Sequence, residues 1–171
     1  MTADRDAPLE VKWEGKYVRT LKRGRWEFVS RTGSVNAVVI VAETEGKVVL
    51  IDQYRVPVGK RCLELPAGLV GDEDPDATVE GTAVKELEEE TGYTAERIDV
   101  LGEFQSSPGL LRESFTLVRA SGLTKIGEGG GTEHEDINVH LIARDDIPEF
   151  VAARRAEGMA IDVKLLNFMK F

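Results

Sequence analysis

Apolar positions along this 171-residue chain fall mainly in short β-branched runs separated by polar turns. Trp26 to Ser30 is a short strand-like run, preceded by a basic stretch from Arg19 to Arg25. Val35 to Ala42 and Lys47 to Tyr54 are rich in valine and isoleucine, with Glu43-Thr44-Glu45-Gly46 between them, and this pair predicts a hairpin. Further strands are expected at Ile98 to Gln105, Glu113 to Ala120 and Asp136 to Ala143. Asp74-Pro75 offers an N-cap and a first-turn proline, and Gly92 is placed to end a helix, so Pro75 to Thr91 reads as one helix. Weaker helical patterns cover Asp145 to Glu157 and Asp162 to Met169. Several strands with one central and one terminal helix predict an α+β sandwich rather than a doubly wound sheet.

No repeat or linker-like tract divides the chain, and its length suits one domain. No apolar run approaches the roughly 18 residues a membrane span needs. Met1 to Pro8 carries Asp4, Arg5 and Asp6 and no apolar core of a secretory signal, so this end is expected to fray and the protein to be cytoplasmic. The single cysteine, Cys62, excludes an intrachain disulfide and reads as a small core residue, with no basic neighbour pattern to mark a reactive thiol. Against 22 Lys and Arg stand 31 Asp and Glu, a formal charge of −9. That balance argues against nucleic acid as the main partner, because duplex binding rests on phosphate neutralisation. A small anionic substrate would need local help from a metal ion.

The acids themselves show where that ion could sit. Glu86, Glu89 and Glu90 stand at i, i+3 and i+4 and share one face in the last two turns of the expected helix. The macrodipole is negative there, so each exposed acid costs about 0.3–1 kcal/mol. A divalent cation would neutralise them, and hard oxygen ligands suit Mg²⁺ or Mn²⁺; the other reading is a merely acidic surface. Asp72, Asp74 and Asp76 alternate as at the start of an EF-hand, but Ala77 stands where that loop needs glycine and Ala83 where it needs glutamate. His134 and His140 have a spacing that fits no zinc pattern.

The run Lys85-Glu86-Leu87-Glu88-Glu89-Glu90-Thr91-Gly92-Tyr93 resembles the second half of the Nudix box, G-x5-E-x7-R-E-U-x-E-E-x-G-U, with Lys85 in the arginine place. The first half departs from it. Ala77 stands where the box wants glutamate, and Glu73-Asp74-Pro75, similar to the usual Glu-x-Pro, lies about four residues too far upstream. Four residues make about one helical turn, so either the helix is longer at its start or Glu80-Gly81 marks a break with Thr82 as a new cap.

The likeness covers nearly the whole chain and is nearest to the ADP-ribose pyrophosphatase branch. Gln53-Tyr54-Arg55, Leu63-Glu64-Leu65-Pro66-Ala67-Gly68 and Ser106-Ser107-Pro108-Gly109 resemble that branch's segments around the box, although Leu110-Leu111-Arg112 departs from it. The resemblance implies a Nudix-like α/β/α sandwich with mixed sheets, with an N-terminal β extension over about residues 9–32 and a catalytic core from about residue 33 to 171. It implies Mg²⁺ (or Mn²⁺) on Glu86, Glu89, Glu90 and the Ala67 carbonyl, and substrate contacts from Arg55, Glu113, Trp26 and Glu27. Trp26 could equally fill the core.

Gly127 to Gly131 contains no Gly-Lys-Ser/Thr and is not a P-loop. It leads into Thr132-Glu133-His134-Glu135-Asp136, which composition alone would make an acidic hairpin loop. The resemblance makes it the carrier of a catalytic base, Glu133 first and Glu135 second, and mobile glycines would suit a closing lid. Ile161 to Leu166 reads as structural. The implied activity is hydrolysis of the phosphoanhydride bond of a nucleoside diphosphate derivative by a homodimer. Simple nucleoside di- or triphosphates are the alternative substrates, and a non-catalytic nucleotide sensor is the alternative of another class.

Overall fold

The structure, a computed structural model, describes residues 4–33, 36–72, 74–132 and 135–169. The strands run in the order β1 (Leu9–Glu14), β2 (Val18–Arg23), β3 (Trp26–Arg31), β4 (Asn36–Thr44), β5 (Lys47–Arg55), β6 (Lys60–Glu64) and β7 (Ala67–Val70). Helix α1 (Val79–Thr91) follows, then β8 (Tyr93–Gln105), β9 (Ser114–Lys125) and β10 (Ile137–Ala143), helix α2 (Ile147–Ala156) and a short β11 (Ala160–Ile161). Strands β1 to β3 form their own antiparallel sheet, and the basic stretch after Arg19 lies largely within β2. Among the described residues no helix is long and apolar enough to cross a membrane.

The valine- and isoleucine-rich pair is a hairpin only at its turn. β4 and β5 pair at Glu43 with Val48 and Thr44 with Lys47, and then diverge. β4 goes on to pair in parallel with β9 and antiparallel with β7, while β5 pairs antiparallel with β6 and β10. Both strands are thus interior to mixed sheets, which explains near-continuous apolar runs where a half-exposed hairpin would alternate. Val39 and Val41 of β4 join Val48, Leu50, Leu63 and Leu65 against Ile147 and Val151 of α2. Val38, Ile40 and Ala42 face the other way, onto Ala83 and Leu87 of α1. One helix therefore covers each face, and the fold is an α+β sandwich built on mixed sheets.

The helix expected from Pro75 starts later, at Val79, with Thr78 as its cap: Thr78 Oγ1 accepts from the Gly81 N–H at 3.0 Å. Asp74-Pro75 instead opens a turn, in which Asp74 Oδ1 accepts from the Asp76 N–H (3.0 Å) and the Asp74 carbonyl from that of Ala77 (3.0 Å). Asp-Pro initiates turns as readily as helices, and the aspartate's local hydrogen bond decides between them. The residues inserted before the box thus lengthen a loop, not the helix, and Thr82 is no cap. Gly92 ends α1 as expected, left-handed at φ 70° with its N–H on the Glu88 carbonyl. The C-terminal segment is a 3₁₀ turn over Val163–Phe168, capped by Asp162, rather than an α-helix.

Candidate active site

The C-terminal half of α1, the loop into β7 and the segment before β10 enclose an open cleft of about 900 Å³. Glu90 is its most buried acid, 2 % exposed, and its Oε2 accepts from the Ala67 N–H at 3.0 Å. Burial pushes the Glu90 carboxyl up to about 8; the Ala67 N–H opposes this, while the charges of Glu86 and Glu135 add to it. Glu86 lies against Gly68 so closely that a Cβ on that glycine would fall 2.0 Å from Glu86 Cδ. A side chain at position 68 would therefore push the Glu86 carboxylate away from the loop. Glu89 is 3.9 Å from Lys85.

Among the described residues no three acid, histidine or cysteine side chains are already gathered to hold an ion. The donor set nonetheless suits a hard divalent cation. Glu86 and Glu90 converge on the Ala67-Gly68 backbone, and a cation would offset both the burial of charge at Glu90 and its repulsion by Glu86 and Glu135.

Gly127 to Gly131 is docked onto the end of α1. The N–H groups of Gly130 and Gly131 donate to the carbonyls of Glu90 (2.9 Å) and Glu89 (3.0 Å), and those of Ile126 and Gly127 to Gly92. Lys125 Nζ donates to the Thr91 carbonyl at 2.9 Å. These bonds satisfy carbonyls that a helix end leaves without partners. They tie down the glycines expected to be mobile, and at Gly129 the glycine serves close approach. A Cβ on Gly129 would lie 2.4 Å from the Thr91 carbonyl carbon.

Beyond the clasp, Glu135 lines the cleft, and its Oε2 accepts from the Thr132 N–H (2.9 Å) and hydroxyl (3.1 Å). Glu133, expected as the first candidate base, lies outside the described residues, as does His134.

Arg55 reaches the cleft from β5 and donates twice to Glu64, at 2.8 and 2.6 Å. Glu113 also lines the cleft, bonded at 2.5 Å to Nε of Arg31. Trp26 and Glu27 do not: they stand at the start of β3, and Trp26 is 56 % exposed, so it does not fill the core. Cys62 is buried as expected, and burial pushes its thiol up to about 12, far from a reactive thiolate.

Glu64, Arg31 and the Asp162–Lys164 pair (2.7 Å) are cleft residues that sequence reasoning did not single out. The last two lie within the segment read as structural. Only Glu64 carried a signal, as a lone acid between the core residues Leu63 and Leu65.

A family model for the NUDIX domain matches residues 32–160. The ADP-ribose pyrophosphatase of Bacillus subtilis (strain 168) is 33% identical over 135 residues, 78% of this chain and 70% of that one. The methanol dehydrogenase activator of Bacillus methanolicus is 36% identical over 131 residues, 75% of this chain and 68% of that one. Among solved structures, an ADP compounds hydrolase shares the fold with a TM-score of 0.66 at 22% identity, over 88% of this chain and 86% of that one. With a match of that extent and the box carboxylates brought against the loop before the helix, the chain belongs to the Nudix hydrolase family, near its ADP-ribose pyrophosphatase branch.

Proposed function

We propose that the protein is a Mg²⁺-dependent pyrophosphohydrolase that cleaves the phosphoanhydride bond of a nucleoside diphosphate derivative of the ADP-ribose or sugar-nucleotide type. The observation that carries this reading is the approach of Glu86 and Glu90 to Ala67-Gly68 with Glu135 in the same cleft. Glu86, Glu89, Glu90 and the Ala67 carbonyl would hold the ion, with Mn²⁺ able to replace it. When bound, a divalent cation polarises phosphoryl oxygens and offsets charge on the leaving phosphate.

The chain's own groups supply the rest. Glu133 or Glu135 would accept the proton of the attacking water, and Glu135 follows a glycine run fixed to the helix that carries the metal ligands. Arg55, oriented by its two bonds to Glu64, presents the rest of its planar guanidinium to an anionic substrate, and Glu113 is oriented by the bond from Arg31 Nε. The name of the Bacillus subtilis relative supports the ADP-ribose type of substrate.

The protein would act as a homodimer. Trp26 and Glu27 lie outside their own cleft, so a substrate contact from them would have to serve a partner's site. Exposed Val11, Trp13 and Tyr17 on the same N-terminal segment support a surface covered by a second copy.

The test is hydrolysis of ADP-ribose, sugar nucleotides, and nucleoside di- and triphosphates, with products identified. Cleavage of ADP-ribose to AMP and ribose 5-phosphate, faster than that of simple nucleotides, is expected. Preference for di- or triphosphates would reject the substrate, and absence of turnover on all of them would favour a nucleotide sensor.

A further inference from the structure

Outside the cleft, a charged network joins three strands. Asp52 of β5 is 2 % exposed, and its carboxylate meets His140 Nε2 at 2.6 Å and Asn138 Nδ2 at 3.2 Å, both from β10. Arg61 of β6 completes it: Nε donates to Asp52 Oδ1 and Nη2 to the Asp52 carbonyl at 2.9 Å. The same guanidinium reaches further. Nη1 donates to Asp136 Oδ2 at 2.7 Å and Nη2 to the Asp136 carbonyl at 2.9 Å.

Asp136 follows Glu135 directly and ends the acidic loop. The loop's beginning is tied to the Glu89 and Glu90 carbonyls through Gly131 and Gly130. The first root is thus tied to α1, while the second is held to the β5–β6 pair by this guanidinium at Asp136 and by the β10 ladder that starts at Ile137, whose N–H also donates to the Gly130 carbonyl at 3.3 Å. Arg61 itself does not line the cleft.

We propose that Arg61 is a positioning residue, which anchors the root of the acidic loop next to Glu135 and so sets the place of the base without touching substrate. This rests on the reading that Glu133 or Glu135 is the base. Lysine could not replace it, because a single ammonium cannot meet Asp52 and both acceptors of Asp136 in the geometry of a guanidinium fork. Asp52 keeps His140 and Asn138 when Arg61 is removed, whereas Asp136 loses this anchor. The damage should therefore fall on the loop root rather than on the core.

The experiment compares wild type with Arg61→Met, Arg61→Lys and Asp136→Asn, each alone and combined with Glu133→Gln/Glu135→Gln. It reads kcat and KM on the best substrate and Mn²⁺ affinity by calorimetry. A misplaced general base forfeits part of its rate factor, so kcat should fall about ten- to a hundredfold in both Arg61 variants. KM and Mn²⁺ affinity should stay within about twofold, because only the base is displaced. Asp136→Asn, which retains the carbonyl contact, should fall between wild type and Arg61→Met. In the background lacking both loop acids, the Arg61 changes should cost nothing more, the mark of two changes acting through one group.

Unchanged kcat in folded Arg61→Met, the same loss in both backgrounds, or a parallel loss of Mn²⁺ affinity would overturn the proposal. Full activity of Glu133→Gln/Glu135→Gln would overturn the loop-base reading itself, and this proposal with it. A loss there beside an indifferent Arg61 overturns the positioning role alone.

Discussion

Glu90 occupies a place where a carboxylate gives up nearly all its water beside two other acids, and this gives it a signature of its own. With a folded pKa of about 8 against an ordinary 4.5, the native protein retains a proton that the unfolded chain has released. Stability from this group is complete below about 4.5 and is lost as pH rises towards 8. In a chelator, the melting temperature of wild type should fall more between about pH 5 and pH 8 than that of Glu90→Gln, which has no such proton to lose. Parallel profiles would remove the buried-acid account. Asp52 does not confuse the comparison. Burial alone would raise it, but the hydrogen bonds from His140, Arg61 and Asn138 outweigh that and hold it below the ordinary 3.8. Its contribution is therefore lost only as pH falls through that lowered value, well to the acid side.

Among the elements, α1 and its clasp show what a sequence can and cannot disclose. The shared face of Glu86, Glu89 and Glu90 and the stop at Gly92 follow from local periodicity and one residue's conformational freedom, so both were legible. The start was not, because Asp74-Pro75 has two local solutions and only the hydrogen bonds of Asp74 and Thr78 choose between them. The docking of Gly127 to Gly131 was hidden for another reason. It joins segments more than thirty residues apart, and a glycine needed for close approach reads the same as one needed for mobility. Two alanine substitutions separate those roles. Gly46→Ala meets nothing within 4 Å and should cost only the strain of its positive φ, about 1 kcal/mol. Gly129→Ala adds a collision with the Thr91 backbone and should cost clearly more in denaturant unfolding, while lowering turnover through the displaced loop. Equal costs would show that the clasp is loose.

At the scale of the whole molecule, the sandwich and the helix-borne acids were readable, but the divergence of β4 from β5 was not, since it depends on which partners arrive from β7, β9, β6 and β10. The Arg55–Glu64 and Asp52–Arg61 pairs each span nine residues across the same turn and become visible only once strand register is known. Trp26 was read as a substrate contact or a core residue, and its exposed place on β3 leaves a role across a dimer to be tested. If each protomer lends Trp26 to its partner, mixing Trp26→Ala with Glu90→Gln should restore activity that neither has alone, through sites with intact acids and a borrowed tryptophan. No recovery after subunit exchange would confine Trp26 to its own chain. The central claim concerns the chemistry of the cleft, and one titration tests it most directly: ADP-ribose turnover against Mg²⁺ concentration, from a chelator upward, for wild type and Glu86→Gln. The account predicts no turnover in chelator, saturable activation by Mg²⁺, and at least about a hundredfold loss in Glu86→Gln with a higher Mg²⁺ requirement. Turnover that persists in chelator, or that Glu86→Gln leaves intact, would contradict it.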